Sequence, residues 1–229
     1  MKAQLEKITS PPHGSFKVFR YKGERFDAPW HFHPECELIY IVKSNGMRFV
    51  GDNVMEFEKG DLVLLGSNLP HCWKNLETQS EQAESVVVQW KNDLLGDGWL
   101  DTSEFLPIKK VLLSSTRGIK FDSKSNEKVV LLLNKMPELP PFEKLISLLT
   151  ILNSLAASKD YKLLSADNFS PKLNQKTSKN IDCIQDYVAK NYRGHITLKD
   201  VSSLTAMTEE TFCRFFKKSF NKSFFTFLH

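Results

Sequence analysis

The chain has 229 residues, of which 41% are hydrophobic, so it is long enough for one or two domains with buried cores. Its formal net charge of +4 is too small to indicate nucleic-acid binding by itself, but the charge is unevenly distributed. Residues 1–175 carry 22 Lys and Arg against 22 Asp and Glu, whereas residues 176–229 carry 9 against 5. The excess of positive charge therefore lies in the last quarter of the chain, where a DNA-contacting module would need it.

Neither the cysteines nor the hydropathy pattern indicates secretion or a membrane span. The four cysteines form no CxxC pair, which favours reduced thiols in a cytosolic protein. The N-terminal residues include no apolar segment of the signal-peptide type, and no run of 18 apolar residues occurs. We therefore expect a soluble cytoplasmic protein that has no membrane partner.

The first hundred residues have the composition of short strands separated by turns. Many short strands without helical periodicity predict a small antiparallel barrel or sandwich. Residues 38–42 are apolar at both alternating sets of positions, so we expect that strand to be covered on both faces. The predicted strands are 16–21, 36–43, 47–50, 54–57, 61–65 and 85–90.

After residue 99 the apolar periodicity becomes helical and predicts helices at 103–115, 125–135 and 141–157. The third helix has Pro141 near its start and more apolar positions than packing on one surface requires. Two interpretations stay open, a deeply buried helix and a helix that pairs with a second copy of the chain. The predicted core stripe consists of Phe142, Leu145, Ile146, Leu149, Leu152 and Ala156, widened by Leu148, Ile151 and Leu155.

Residues 159–179 are polar and predict a linker to a last, helical domain. That domain begins with a predicted helix at 181–192. The spacing of its apolar residues predicts that they lie on one face, which points inward. It supplies the third helix that a helix-turn-helix unit needs for a core. The inward residues are Ile181, Ile184, Val188 and Tyr192.

Residues 197–220 predict two short helices around a tight turn. Thr197 and Thr208 are placed to cap them, and Val201 and Leu204 give the first helix an apolar stripe. The second helix separates two faces: Phe212, Phe215, Phe216 and Phe220 inside, and Glu210, Thr211, Arg214, Lys217 and Lys218 outside. This is the pattern of a helix-turn-helix whose second helix enters a DNA major groove, and the alternative is an ordinary amphipathic hairpin.

A second group of residues suggests a ligand site in the barrel. His31, His33 and Glu37 are separated by even numbers and would project from one face of a strand, with His71 brought opposite by another strand. Three imidazoles and a carboxylate suit a divalent transition metal such as Zn, Mn, Fe, Ni or Cu. Alternatively, these side chains bond to one another, to water or to an organic effector, because buried polar groups must be satisfied.

These segments resemble the paired motifs of the cupin barrel. His31, His33 and Glu37 match HxHxxxE, and His71 opens a match to HxxxN. The resemblance implies a cupin-like fold and makes these four residues candidate metal or effector ligands. Two positions depart from the second motif, since Gly66 stands where Pro is usual and Asn68 where Gly is usual.

The order of barrel, helices, linker and helix-turn-helix resembles AraC-type transcription regulators along nearly the whole chain. The resemblance implies a cupin-like effector-sensing barrel at 1–100, a helical dimerisation segment at 101–158, a linker at 159–179 and a DNA-binding domain at 180–229. Double-stranded DNA, a small-molecule effector and a second copy of the chain are then the expected partners. The expected DNA contacts are Thr211, Arg214, Lys217 and Lys218.

We therefore expect an effector-responsive, sequence-specific DNA-binding regulator and not an enzyme. The alternative is a cupin-type metal-binding protein or a metalloenzyme such as a dioxygenase or isomerase. The family carries two helix-turn-helix units and this sequence matches one, so a truncated form is expected. Such a form would bind DNA weakly, because it neutralises fewer phosphates.

Overall fold

The protein is described by a computed structural model that covers residues 4–6, 8, 15–75, 82–167, 169, 175–191, 194–220 and 222–228, with residues 4, 5, 175–179 and 182 described by their backbone alone. Within these residues, two β-sheets come first and are followed by helices. The predicted fold class, an antiparallel cupin-like barrel followed by an all-helical end, is confirmed.

The barrel consists of a five-stranded and a six-stranded sheet. The first has the order β1-β3-β8-β5-β6 and the second the order β11-β10-β7-β4-β9-β2. The pairings are antiparallel except that of β1 with β3. The strands are β1 Gln4–Leu5, β2 Phe16–Gly23, β3 His31–Phe32, β4 Cys36–Lys43, β5 Gly46–Val50, β6 Asn53–Phe57, β7 Leu62–Leu65, β8 His71–Asn75, β9 Ala83–Trp90, β10 Ile119–Phe121 and β11 Tyr161–Leu163.

Strand β4 is buried on both faces, as its sequence predicts. Ile39 and Ile41 face the space between the sheets, where they pack with Val50 and Trp73 of the other sheet. Leu38 and Tyr40 lie on the opposite face and belong to a second core shared with the helices after the barrel. Each buried aliphatic side chain contributes about 1.5–3 kcal/mol to folding, which explains why this strand is apolar throughout.

Three helices cover the outside of the six-stranded sheet, and four more form the C-terminal unit. Among the described helices, none combines the length and the apolar character needed to cross a bilayer. The helices are α1 Leu106–Ser114, α2 Glu127–Lys135, α3 Pro141–Ala157, α4 Gln175–Asn191, α5 Leu198–Leu204, α6 Glu209–Phe220 and α7 Phe224–Leu228.

Helix α3 has the predicted bounds but presents a different face to the core. Leu148, Ile151 and Leu155 are at most 1% exposed, whereas Phe142 is 71% and Ile146 47% exposed. The prediction that Phe142 and Ile146 belong to the core stripe is wrong. A helix that is apolar on most sides has no single amphipathic face, so its sequence does not determine which stripe contacts the sheet.

The first part of the predicted linker is folded onto the barrel, so that part of the prediction is wrong. Strand β11 pairs with β10, and the Ser165 hydroxyl then donates a hydrogen bond to the Val50 carbonyl at 3.1 Å. Asp52 accepts a bond from the backbone N–H of Ala166 at 3.0 Å. A three-residue edge strand that is exposed throughout is too short to be recognised by alternation, and its conformation depends on pairing with β10. Residues 168 and 170–174 lie outside the described residues, and helix α4 begins at Gln175.

The C-terminal unit has a core of closely packed phenylalanines. Phe216 lies at its centre, with its ring centroid 4.5 Å from that of Phe220 and 5.1 Å from that of Phe227. Thr197 and Asp200 form a capping box at the start of α5. The backbone N–H of Thr211 donates to the Thr208 hydroxyl at 3.2 Å, which caps α6. These caps were predicted by the sequence.

Two details of this unit differ from the prediction or lie outside the described residues. Leu204 is 47% exposed, so the prediction that it is buried is wrong. The short helix α5 instead buries Val201 and Ser202, and Thr205 beyond its end is also buried. Tyr192, predicted to face inward from α4, lies outside the described residues.

The C-terminal unit packs on the outer face of the five-stranded sheet. Trp30, Met47, Phe49 and Cys72 of the barrel share one apolar cluster with the phenylalanine core. The Phe49 and Phe227 ring centroids are 6.4 Å apart.

Two ion pairs border this contact between the barrel and the C-terminal unit. Lys222 Nζ lies 3.3 Å from Asp52 Oδ2, and Lys74 Nζ lies 3.0 Å from Asp186 Oδ1. The C-terminal unit therefore contacts the barrel through an apolar surface that is bordered by ion pairs.

Candidate functional site

The four predicted ligand residues come from three different places in the barrel. His31 in β3 pairs directly with His71 in β8, His33 lies in the connection that follows β3, and Glu37 lies in β4 of the opposite sheet. The prediction that His31, His33 and Glu37 share one face of a single strand is wrong, because the chain passes from one sheet to the other between them. The four side chains nevertheless converge.

The three histidines are oriented by the same kind of hydrogen bond. The Nδ1 atoms of His31, His33 and His71 lie 2.8, 3.0 and 2.8 Å from the carbonyl oxygens of Pro29, Glu35 and Leu69. A carbonyl can only accept, so each Nδ1 carries the proton. One ligand nitrogen from each ring lies within 4.8 Å of the others, and Nε2 is the atom that these bonds leave available.

Glu37 holds the cluster together from the opposite sheet. Its Oε2 lies 3.1 Å from His33 Nε2, and its Oε1 lies 3.7 Å from His71 Nε2. The side-chain amide of Gln89 donates a further bond to Oε2 at 2.8 Å. Glu37 thus contacts two of the histidines but lies outside the set of three whose nitrogens are mutually close.

Burial and the neighbouring charges both shift the pKa values of this cluster. Burial, followed by the charge of His31, lowers the pKa of His71 to about 3. Burial would raise the pKa of Glu37, but the hydrogen bond from His33 and the charges of the histidines hold it at about 2. Burial also opposes protonation of His33, yet the hydrogen bond and charge of Glu37 raise its pKa.

The cluster fits a divalent transition metal. Its three imidazoles are prealigned by backbone carbonyls, which is the usual second layer around a metal-binding histidine. Metal–nitrogen bonds of about 2.1 Å correspond to nitrogen separations of about 3.4 Å in a tetrahedral site, so the rings would close by at most about 1.4 Å. His31, His33 and His71 would be the ligands, with Glu37 beside them, and metal binding stays a prediction.

A cavity of about 220 Å³ adjoins the cluster. His31, His71, Glu37 and Gln89 form its polar side. Its remaining wall is largely aromatic, with Phe19, Tyr21, Phe26 and Trp73.

Sequence reasoning missed Gln89, Phe19, Tyr21 and Phe26. A polar residue directly after the apolar run 86–88 of strand β9, two positions from Val87, was a signal that could have revealed Gln89.

The two departures from the cupin motif have structural reasons. A Cβ at Gly66 would lie 2.6 Å from the backbone nitrogen of Thr116, and the Gly66 N–H donates to the Ser115 carbonyl at 2.7 Å. A proline at this position would lose that bond and collide with the helical layer. Asn68 has a left-handed φ of 61°, and its N–H donates to the His33 carbonyl at 2.8 Å, so it joins the two motif segments.

The predicted DNA-contact residues lie on the exposed side of α6. Arg214 has a side chain that is 72% exposed, with its Nη1 3.5 Å from Glu210 Oε1 one turn earlier. Phe212, Phe216 and Phe220 face the core as predicted, whereas Phe215 is half-buried. Contact with DNA stays a prediction. The exposed predicted residues are Thr211, Arg214, Lys217 and Lys218.

Comparison with known protein families finds a match for part of the barrel. Residues 17–88 match the family model described as Cupin domain. This part of the chain is therefore similar to cupin domains. It contains the whole histidine cluster and both segments of the motif. Among curated proteins, no sequence matches this chain significantly.

Several solved structures are similar to parts or most of the chain. A cupin 2 conserved barrel domain protein from Salinispora arenicola is 18% identical, with a TM-score of 0.32, over 39% of this chain and 76% of its own. ToxT from Vibrio cholerae is 10% identical, with a TM-score of 0.41, over 93% of this chain and 98% of its own. The polyketide cyclase RemF from Streptomyces resistomycificus is 17% identical, with a TM-score of 0.30, over 34% of this chain and 56% of its own. These values are too low to carry an argument about function.

Proposed function

We propose that this protein is an effector-responsive DNA-binding transcription regulator of the AraC type. The observation that supports this most strongly is the exposed, basic outer face of α6, a helix whose buried residues are all phenylalanines. A capped helix on a packed phenylalanine core holds that face in a fixed orientation. Such a regulator works where the DNA is, in the cytoplasm.

The residues of α6 take different roles in this proposal. Arg214 is the candidate for a base edge, because a guanidinium can make two hydrogen bonds to a guanine. Lys217 and Lys218 are candidates for phosphates, which position the helix without reading sequence. The barrel contacts the unit through its apolar cluster, and this leaves the outer face of α6 exposed.

Strand β8 offers a route by which a barrel ligand would affect the helices. His71 and Trp73 line the cavity, whereas the alternate residues Cys72 and Lys74 face α4. The Cys72 thiol lies 3.6 Å from the Gln185 side-chain oxygen, and Lys74 pairs with Asp186. A ligand that moves β8 therefore moves groups that contact the C-terminal unit. We infer that the barrel senses rather than catalyses.

The DNA-binding proposal is tested by removing one positive charge at a time. Fluorescence anisotropy with a mixed-sequence duplex at about 50 mM salt brings weak binding into range, because affinity rises steeply as salt falls. Lys217→Ala should weaken binding and reduce the slope of log affinity against log salt by about one. Lys128→Ala removes the same charge from an exposed position on α2 and should change neither quantity. Equal effects of the two substitutions would contradict the proposal.

Arg214→Ala tests base reading separately. In a selection from a randomised duplex library, it should relax the preference at one base position, at a cost of about 1–3 kcal/mol for the preferred base. An unchanged preference would remove Arg214 from that role.

A second function is favoured by the histidine geometry: the barrel binds a divalent transition metal. Elemental analysis of protein purified without chelator should find a stoichiometric metal in the wild type. His31→Ala should lower the affinity at least about tenfold, whereas His195→Ala, at an exposed position outside the cluster, should leave it unchanged. A metal-free wild type, or equal losses in both variants, would contradict metal binding.

We also propose that the helical segment mediates homodimer formation. It leaves several large apolar side chains exposed, which is typical of an interaction surface. Sedimentation should give a dimer for the wild type and a monomer for Phe142→Asp. A wild-type monomer at micromolar concentration would contradict this. The exposed residues are Leu106, Leu113, Leu131, Phe142 and Ile146.

A further inference from the structure

We propose that the barrel cavity binds a small organic ammonium compound, that is, an amine that carries N–H groups and a positive charge. Its N–H groups would reach the acceptors beside the histidine cluster, and its apolar part would contact the aromatic wall. This inference rests on the proposed sensor role of the barrel, and it specifies the chemical class of the effector.

The charges around the cavity favour a cation. The described residues that line it include three carboxyl groups, those of Glu6, Asp27 and Glu37, and no Lys or Arg. Lys17 places its ammonium 4.7 Å from the centroid of the Phe19 ring but is not among the lining residues. An anionic ligand would be repelled by these carboxylates, whereas an ammonium would be attracted.

Among the described lining residues, two buried polar atoms are acceptors without a donor, and one, Trp73 Nε1, is a donor without an acceptor. Gln89 Oε1 has no hydrogen-bond partner within the described part of the chain, while the amide nitrogen of the same side chain is held by Glu37. His71 Nε2 likewise has none, and it carries a lone pair because Nδ1 donates to Leu69. Gln89 is 4% and His71 1% exposed, so bulk water does not reach them freely. A buried acceptor left unpaired is costly, and an N–H donor on a ligand would remove that cost.

The walls of the cavity suit the apolar part of such a compound. The rings of Phe19, Tyr21, Phe26 and Trp73 line it, and the faces of aromatic rings attract ammonium groups. At about 220 Å³ the cavity is smaller than those that hold drug-sized ligands, so the compound is a short alkylamine or a single-ring arylamine.

A metal bound to the histidines would occupy only some of the groups that could bind an ammonium compound. It would occupy His71 Nε2, but Gln89 Oε1, Glu6 and Asp27 would still face the cavity. The test is therefore run on the full chain after chelation and again after Zn²⁺ is added.

Calorimetry with four matched probes tests the inference. The probes are butylammonium, tetramethylammonium, butanol and butyrate at neutral pH. Butylammonium should bind at least about tenfold more tightly than butanol, because it adds charge and donors to the same apolar chain. Butyrate should not bind measurably. Tetramethylammonium, which has charge but no N–H, should bind more weakly than butylammonium. Butyrate binding as tightly as butylammonium, in either metal state, would overturn the proposal, and so would equal affinities for the two ammonium compounds.

Two substitutions locate the site. Gln89→Leu should weaken butylammonium binding at least about tenfold, and Asp27→Asn, at an exposed position that does not threaten folding, by about two- to fivefold. Glu56→Gln removes an exposed carboxylate from β6 outside the cavity and should have no effect. Unchanged binding in Asp27→Asn and Gln89→Leu would overturn the site.

This readout is independent of DNA, so it separates the two proposals. If DNA binding does not depend on Lys217, the DNA proposal fails, but butylammonium binding measured by calorimetry is unaffected. Absence of butylammonium binding in a protein that binds DNA through α6 would overturn the ammonium site alone.

Discussion

The barrel and the C-terminal unit place their polar residues in opposite ways. The barrel buries charge: His33 and Glu37 are 2% and 4% exposed, and Arg48 Nη1 contacts Asp61 Oδ1 at 2.6 Å with neither residue accessible to solvent. In the described part of the C-terminal unit, the core consists of phenylalanines and aliphatic residues with a few uncharged polar residues (Gln185, Ser202 and Thr205), and the charged side chains of α6 lie outside.

This difference indicates where each part of the molecule acts. Burying polar groups costs free energy unless they are paired, so the unpaired acceptors inside the barrel support the proposal of a ligand site there. The charges on the outer face of α6 support the proposal that this unit acts through its surface. We therefore expect the stability of the barrel to depend on pH and on ligands. The stability of the C-terminal unit should depend on the volume of its core side chains.

The largest expected effect is the loss of a core ring in the C-terminal unit. Phe216→Ala should lower the free energy of unfolding by about 3–5 kcal/mol, because it removes the ring that contacts Phe212, Phe220, Phe224 and Phe227. Phe225→Ala is the matched control, since that ring is 42% exposed and should cost much less. Denaturation followed by circular dichroism gives both values, and equal losses would show that the unit lacks this core.

The barrel should instead be sensitive to pH in its metal-free form. Because the folded-state pKa of His71 is lowered to about 3, the unfolded chain binds a proton between about pH 6.5 and 3 that the folded protein does not. Stability contributed by neutral His71 is therefore fully present above pH 6.5 and falls as the pH decreases, by up to about 1.4 kcal/mol per pH unit. Glu37 adds a loss in the same direction between about pH 4.5 and 2, since its folded-state pKa is about 2.

A substitution isolates the contribution of His71 from that of its neighbour. The raised pKa of His33 acts in the opposite direction, because protonated His33 stabilises the folded state as the pH falls. In His71→Asn, the loss of stability between pH 6.5 and 4.5 should shrink or reverse. Denaturation at a series of pH values measures this, and an unchanged slope would contradict the assignment of neutral, buried His71.

The contact between the two regions should depend on Asp52. Its side chain is inaccessible and accepts from Ala166 while it pairs with Lys222. Asp52→Asn should cost about 1–3 kcal/mol, whereas Lys222→Gln should cost less because Lys222 is 32% exposed and hydrates when freed. Glu56→Gln serves as an exposed control on the same sheet. If Lys222→Gln destabilised the protein more than Asp52→Asn, the burial of this carboxylate would not be the cause.

The smallest expected effect lies in the turn of the helix-turn-helix. Ala206 has a left-handed φ of 51°, a conformation that glycine adopts without strain. Ala206→Gly should therefore stabilise the C-terminal unit by up to about 1 kcal/mol, as thermal denaturation would show. The matched comparison is Ser203→Gly on α5, which should destabilise the unit instead because glycine disfavours a helix interior. A destabilised Ala206→Gly would contradict the turn geometry.

The sequence predicted six strands of the barrel (β2, β4, β5, β6, β7 and β9) and the bounds of α3, because these depend on local alternation and periodicity. It did not predict which face of α3 is buried, since Phe142 and Leu148 are equally apolar and only the position of the sheet distinguishes them. Strands β10 and β11 were not predicted. Each has only three residues, and each is stabilised by pairing with a strand that is distant in the sequence.

The candidate sites show the same limit. The basic face of α6 follows from helical spacing, so the exposure of Arg214 and Lys217 could be predicted. The histidines were recognised by motif, but the geometry assumed for them was wrong, because β3 and β4 belong to different sheets. Gln89 is brought to Glu37 from another strand, and this proximity depends on strand order, which the sequence does not specify.

The central claim, that α6 contacts a DNA duplex through its outer face, is tested most directly by following backbone amide signals while a duplex is added at about 50 mM salt. The account predicts that the largest shifts occur at Thr208, Thr211, Arg214, Lys217 and Lys218, and that those of α2 stay unchanged. Shifts concentrated on the barrel or on α2, with α6 unaffected, would contradict it.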